Sequence, residues 1–189
     1  MKKTLTVILL IMTTCTLLAQ TTGTLTVTTT TSNAGGNYAP RNIVAIWVED
    51  SSGNFVKTLM AYAATRRTHL NNWEASTTAA GSAFNVTDAI SGATRTSHAT
   101  RSCTWNGKDF QQNNMPDGSY TVWMELTDKN STGNYSSFSF TKGPQAETQT
   151  PLDVPSFSSI TIQWMPLGVG ISQSPEMQGT LLVPDQGNR

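Results

Sequence analysis

Alternation of apolar and polar side chains runs through most of the chain and predicts short β-strands. Residues 24–31 alternate apolar side chains with threonine, the period of a strand with one buried face. Residues 43–49 are apolar on both faces, which predicts a strand at the centre of a sheet. The predicted strands span 24–31, 43–49, 55–60, 100–105, 119–127, 135–141 and 157–164.

Turn sequences separate these strands and indicate how they connect. The cluster at 50–54 predicts a hairpin between the second and third strands, and Pro116-Asp117-Gly118 precedes the longest strand. About seven short strands with such turns predict an all-β fold, an antiparallel immunoglobulin-like sandwich, which we place at 20–165. Its inner face is expected to carry Val44, Ile46, Val48, Val122, Met124, Leu126 and Ile162.

An insertion interrupts the strand rhythm after the third strand. Leu70 and Trp73 are spaced as on one face of a helix, which predicts a short helix over 66–75. Residues 78–100 are small and polar and predict a loop, with weak strand character at 84–86.

Composition supports a β-fold and excludes several functions. The chain has 31 Thr and 18 Ser, and such β-branched, hydroxyl-rich sequences disfavour a helical bundle. Its 12 basic and 12 acidic residues offer no basic surface for nucleic acid or for a membrane.

The N-terminus has the features of a secretion signal. Lys2 and Lys3 precede an apolar run at 5–12, and Ala19 marks an expected cleavage site, so that residues 1–19 form the signal peptide. Lipoprotein processing at Cys15 is the alternative. The apolar run is too short for a transmembrane segment. We therefore expect a periplasmic or secreted protein with a net charge of 10 − 12 = −2 after the two lysines leave.

The remaining cysteine and the two histidines offer little chemistry. Cys103 alone survives cleavage, so no intramolecular disulfide forms, and alternation places its thiol inside the sheet. His69 is expected to cap or pack the short helix. His69 and His98 have no evident third ligand, and no metal site is predicted.

Two segments resemble a known domain. They are similar to the paired halves of the immunoglobulin-like domain of the flagellar hook-cap protein, and their sequences are WVEDSSGNFVKTL and TWNGKDFQQNNMPDGSYTVWMEL. With the intervening sequence, residues 38–165 resemble the bacterial domain of unknown function 2271 family, which implies a periplasmic protein. The tail at 166–189 is expected to be flexible, although its sequence from 169 resembles the start of a type nine sorting domain.

The segment Asp88-Ala89-Ile90-Ser91-Gly92-Ala93-Thr94 resembles the flavinylation motif of proteins that carry covalent FMN. That resemblance implies that a Mg-dependent flavin transferase joins FMN from FAD to the Thr94 hydroxyl through a phosphoester. The motif residues expected to form the cofactor site are Asp88, Ser91, Gly92, Ala93 and Thr94, with Arg95 and His98 beside the flavin. The alternative interpretation is a plain turn that enters a strand.

These observations favour a small exported redox carrier over an autonomous enzyme. The sequence contains no Gly-x-Ser-x-Gly elbow and no phosphate-binding glycine loop. The expected partners are the flavin transferase and extracytoplasmic or membrane electron-transfer proteins. The alternative function is a non-catalytic structural or protein-binding module of the cell envelope. For flavinylation, residues 88–96 should be accessible, with little packed above Gly92.

Overall fold

A computed structural model describes residues 19–168 of the chain. The predicted signal peptide, apart from its last residue, and the sorting-like sequence from 169 onward lie outside the described residues. Within the described part the strands are β1 (Gly23–Thr31), β2 (Ile43–Asp50), β3 (Phe55–Tyr62), β4 (Ile90–Gly92), β5 (Thr100–Trp105), β6 (Gly118–Thr127), β7 (Asn134–Lys142), β8 (Glu147–Gln149) and β9 (Phe157–Pro166). A 3-10 helix (Arg67–His69) and helix α1 (Asn71–Ala79) lie between β3 and β4.

The strands form two sheets, which confirms the all-β sandwich. One sheet has the order β5-β1-β9-β8 and the other the order β4-β3-β2-β6-β7. The described strand pairs are antiparallel with one exception, which is the parallel pair of β4 and β3. The predicted strands are all present, and β4 and β8 are additions that the hydrophobic pattern did not indicate. The prediction of weak strand character at 84–86 was wrong. Those residues form no strand, and Phe84 adopts a left-handed backbone conformation with φ of 58°.

The main core lies between the two sheets. Every residue predicted for the inner face is buried, from Val44 on β2 to Ile162 on β9. The register of β2 with β6 sets Val44 opposite Leu126 and Ile46 opposite Met124, so both strands turn the same set of side chains inward. The predicted register is therefore confirmed.

A second apolar cluster lies on the outer face of the five-stranded sheet. Leu70 and Trp73 are both buried there, together with Ile43, Ala45 and Trp47 of β2. Helix α1 covers this face, which explains why β2 is apolar on both sides. The predicted helix at 66–75 is displaced, because the first turn is a 3-10 helix and α1 continues to Ala79.

Candidate functional site

The flavinylation-like segment forms an exposed edge of the five-stranded sheet. Strand β4 pairs in parallel with the end of β3, with Ser91 opposite Ala61 and Gly92 opposite Tyr62. The Ala64 backbone N–H donates to the Gly92 carbonyl at 3.2 Å and extends this pairing. The sequence predicted a loop here. The structure instead has a short strand, because the free backbone of β3 supplies hydrogen bonds to the middle residues of the segment.

The structure places the first and last motif residues at opposite ends of this edge. Asp88 lies beside the earlier part of β3, with its Oδ2 3.6 Å from Lys57 Nζ and hydrogen-bonded to Gln112. Thr94 lies beyond the end of β3, next to Thr65. Asp88 therefore positions the start of the segment, and the fold does not bring its carboxylate to Thr94.

The Thr94 hydroxyl lies at the surface. Its Oγ1 is 2.9 Å from Thr65 Oγ1 and 3.5 Å from the Thr65 carbonyl oxygen, and both hydrogen bonds are exposed. The Thr94 side chain is half-buried and Ala93 is exposed. An approaching protein can therefore reach the hydroxyl from solvent, and Thr65 fixes the direction in which its oxygen points.

Gly92 differs from expectation, because an aromatic ring packs against it. A Cβ added at Gly92 would lie 3.2 and 3.3 Å from two ring carbons of Tyr62, closer than ordinary van der Waals contact. A substitution such as Gly92→Val would therefore press on Tyr62 as well as obstruct an approaching protein. The expectation that little is packed above Gly92 was wrong on this side.

Thr94 opens into a cavity that we call the arginine cavity. It has a volume of about 300 Å³ and is lined by Tyr38, Arg41, Thr65, Arg66, Thr94, Arg95 and Thr96. Backbone hydrogen bonds in both directions between Asn42 and Arg95, each 2.9 Å long, join the segment after Thr94 to the start of β2. The cavity therefore forms where three separate parts of the chain converge.

His98, which was expected beside the flavin, is not among the residues that line this cavity. Its Nδ1 is 3.3 Å from Asn42 Nδ2, and burial, together with the charge of Arg101, lowers the pKa of His98 despite the opposing charge of Asp128. The imidazole is therefore neutral at neutral pH and adds no positive charge.

A second cavity lies along the earlier part of the same segment, and we call it the apolar cavity. Its volume is about 310 Å³, and Trp73, Phe84 and the alanines that follow β3 form much of its wall. Ser91, Gly92 and Ala93 line its edge next to Thr94. Arg67 also lines it, with its guanidinium carbon 4.5 Å from the centre of the Phe84 ring.

Sequence reasoning missed most of the residues that complete the two cavities. They lie before β2 and after β3, and among them are Tyr38, Arg41, Thr65, Arg66, Arg67 and Phe84. It also missed Tyr62 of β3, which packs against Gly92 and Arg95. Arg66-Arg67 is the one adjacent basic pair after the predicted signal peptide, which was an available signal. Nothing in the linear sequence, however, indicated that Arg41 and Arg95 meet it.

Within residues 19–168, no cluster of three or more His, Cys, Asp or Glu side chains is arranged to hold a metal ion. In the same part of the chain, no helix has both the length and the apolar content needed to cross a membrane.

Comparison with known proteins identifies a family. The family model described as predicted periplasmic protein (DUF2271) matches residues 24–154, which is most of the sandwich. Neither the curated proteins nor the solved structures contain a match to the chain. The chain therefore belongs to the DUF2271 family of predicted periplasmic proteins.

Proposed function

We propose that this exported protein carries FMN in phosphoester linkage on Thr94 and passes electrons between extracytoplasmic partners. The observation that carries the proposal is the position of the Thr94 hydroxyl, which is accessible and lies between the arginine cavity and the apolar cavity. Membership of a predicted periplasmic family supports export. The flavin attachment that the motif implies takes place outside the cytoplasm.

The residues present suit the flavin by their chemistry. Phe84 is half-buried and offers aromatic surface to a planar ring, while Trp73, which is 1% exposed, packs against Phe84. Ser91, Gly92 and Ala93 line the same cavity and lead to Thr94. The Trp73 and Phe84 rings pack edge to face with centroids 5.6 Å apart, which holds the Phe84 ring in place. Bound FMN would supply reversible electron transfer, and the protein would contribute position and electrostatics.

The attachment step balances with FAD as the donor. The Thr94 Oγ1 forms a bond to the phosphorus on the flavin side of the pyrophosphate, and the bond from that phosphorus to the bridging oxygen breaks. AMP leaves with the bridging oxygen, and the hydroxyl proton passes to a base of the transferase. On this chain, Thr65 orients the attacking oxygen through the 2.9 Å contact between their Oγ1 atoms.

The test is the intact mass of the exported protein after coexpression with a flavin transferase. The wild type should gain the mass of FMN less one water. Thr94→Val should fold and remain unmodified, because valine keeps the β-branched shape and lacks the nucleophile. Thr96→Val is the matched control, since Thr96 lines the same cavity outside the motif, and it should still be modified.

Thr94→Ser extends the test, because serine restores a hydroxyl at the same position. It should be modified, although more slowly, since the lost methyl group loosens the side-chain rotamer. Equal masses in the wild type and Thr94→Val, apart from the substitution itself, would contradict the proposal. That result would favour the alternative of a non-catalytic protein-binding module.

A further inference from the structure

The arginine cavity carries positive charge from arginines that, within residues 19–168, form no ion pair with a carboxylate. Arg41, Arg66 and Arg95 line it. Arg101 lies near Arg95, since burial and then the charge of Arg95 lower the pKa of Arg101. Within residues 19–168 the ion pairs are Lys57–Asp88 and Lys142–Asp117, and neither involves an arginine. The lining side chains therefore give the cavity a net positive charge.

Aromatic rings hold the guanidinium groups in place. The Arg66 guanidinium carbon lies 4.3 Å from the centre of the Tyr38 ring, and that of Arg95 lies 4.5 Å from the centre of the Tyr62 ring. Stacking uses the face of a guanidinium and leaves its in-plane N–H donors free. The Arg66 Nη1 is buried and has no hydrogen-bond partner in the structure.

Asp128 is a buried carboxylate whose hydrogen bonds go to another part of the chain. It accepts hydrogen bonds from the backbone N–H groups of Ala34 and Gly36, at 2.9 and 2.7 Å. These contacts hold the loop before β2 in position, and Asp128 belongs to neither of the two ion pairs named above. The hydroxyls of Thr65, Thr94 and Thr96 add neutral donors around the same space.

We infer that the arginine cavity is a non-covalent binding site for a phosphate group, present in the chain before any modification. A phosphate dianion has enough acceptor oxygens for several guanidinium forks, and arginine matches that geometry better than lysine does. The site goes beyond the proposed flavin attachment, because it depends on the arginines and not on the Thr94 nucleophile. A phosphoester on Thr94 would place its phosphate in the same cavity.

The test is titration of the unmodified protein, made without a flavin transferase, with inorganic phosphate and with pyrophosphate at constant ionic strength. Isothermal calorimetry should show saturable binding that weakens as chloride is raised. Arg95→Gln and Arg41→Gln should each weaken binding about tenfold or more, since each removes one charge-assisted contact. Arg41 is exposed, so its replacement leaves the fold intact.

Arg67→Gln is the matched control, because Arg67 follows Arg66 directly and lines the apolar cavity instead. Its affinity for phosphate should equal that of the wild type. Thr94→Val should also bind phosphate within a factor of about three, since only one neutral donor is lost. Absence of saturable binding, or equal losses in Arg41→Gln and Arg67→Gln, would overturn the inference. Phosphate binding by a chain that never accepts FMN would contradict the proposed function alone.

Discussion

The shorter of the two ion pairs within residues 19–168 joins Lys142 to Asp117. Lys142 Nζ is 2.7 Å from Asp117 Oδ1, and the two side chains are 1% and 14% exposed. Burial acts to raise the pKa of Asp117, but hydrogen bonds from Lys142 and Thr21 outweigh it, so the pKa is lowered overall. The stabilisation from this carboxylate is therefore present above its ordinary pKa and is lost as the pH falls through the lowered value.

Asp117→Asn should lower the free energy of unfolding by about 3–5 kcal/mol, because it leaves a buried ammonium without its partner. Urea unfolding at neutral pH measures this change. The control is the double variant Asp117→Asn/Lys142→Met, in which the buried charge is also removed. The double variant should be more stable than Asp117→Asn alone, and a double variant at least as destabilised as the single one would contradict this explanation.

Individual side chains were predictable where strand alternation decides their environment. Cys103 was expected inside the sheet, and it is buried there, where burial raises the pKa of its thiol to about 12. Trp105 and Trp164 fall on the predicted strands at 100–105 and 157–164, and both are buried in the main core. A period of two assigns each residue of a strand to one face, so these placements needed no knowledge of the tertiary structure.

At the scale of elements, the long strands were predictable and the short ones were not. Strands such as β2 and β6 carry their own apolar pattern over eight and ten residues. Strand β4 has three residues, two of them exposed, so its strand conformation comes from the free edge of β3 and not from its own side chains. Position in the sheet, which the sequence does not display, decides such a case.

Helix α1 was displaced from its predicted position because its N-terminus is stabilised from a distant strand. Glu125 of β6 is fully buried, and its two carboxylate oxygens accept the backbone N–H groups of Asn72 and Trp73 at 3.3 and 2.9 Å. Leu70, at the N-cap, offers no side-chain acceptor. A carboxylate 52 residues from Trp73 in sequence thus replaces the side-chain cap that a neighbouring residue usually provides. The residues near the helix in sequence therefore could not indicate where it begins.

The same contact predicts how stability depends on pH. Burial raises the pKa of Glu125 above its ordinary value, and the hydrogen bonds from Trp73 and Asn72 offset only part of that rise. The folded state therefore holds this proton to higher pH than the unfolded state. Its contribution to stability is full below the unfolded pKa, near 4.5, and falls as the pH rises through the folded pKa.

Glu125→Gln removes this titration and should destabilise the protein most at low pH. The difference in unfolding free energy between the wild type and Glu125→Gln should shrink as the pH is raised from about 4.5 toward neutrality, by the linkage relation. Urea unfolding at a series of pH values measures it. Glu74→Gln, on the same helix, controls for the loss of one carboxylate. A difference that grows with pH would show that the pKa of Glu125 is lowered instead.

At the scale of the whole molecule, the site lies at one edge of the five-stranded sheet, where the insertion between β3 and β5 returns to the sandwich. The arginine cavity takes residues from 38–41, 65–66 and 94–96, which are brought together by the fold. The motif itself was visible in the sequence, but its surroundings were not, because long-range convergence leaves no periodic signal. The fold class was therefore easier to predict than the site.

The stability of the whole sandwich should depend on side chains between the two sheets. Met124 on β6 is 0% exposed in the main core, whereas Met165 on β9 is 49% exposed. Met124→Ala should lower the free energy of unfolding by about 2–5 kcal/mol, because it removes apolar contacts and leaves a cavity that a close-packed core cannot fill. Met165→Ala makes the same chemical change on a strand of the other sheet and should cost less than about 1 kcal/mol. Equal destabilisation of the two variants in urea would mean that the face carrying Met124 is not the one between the sheets, since a shift of one residue exchanges the faces of a strand.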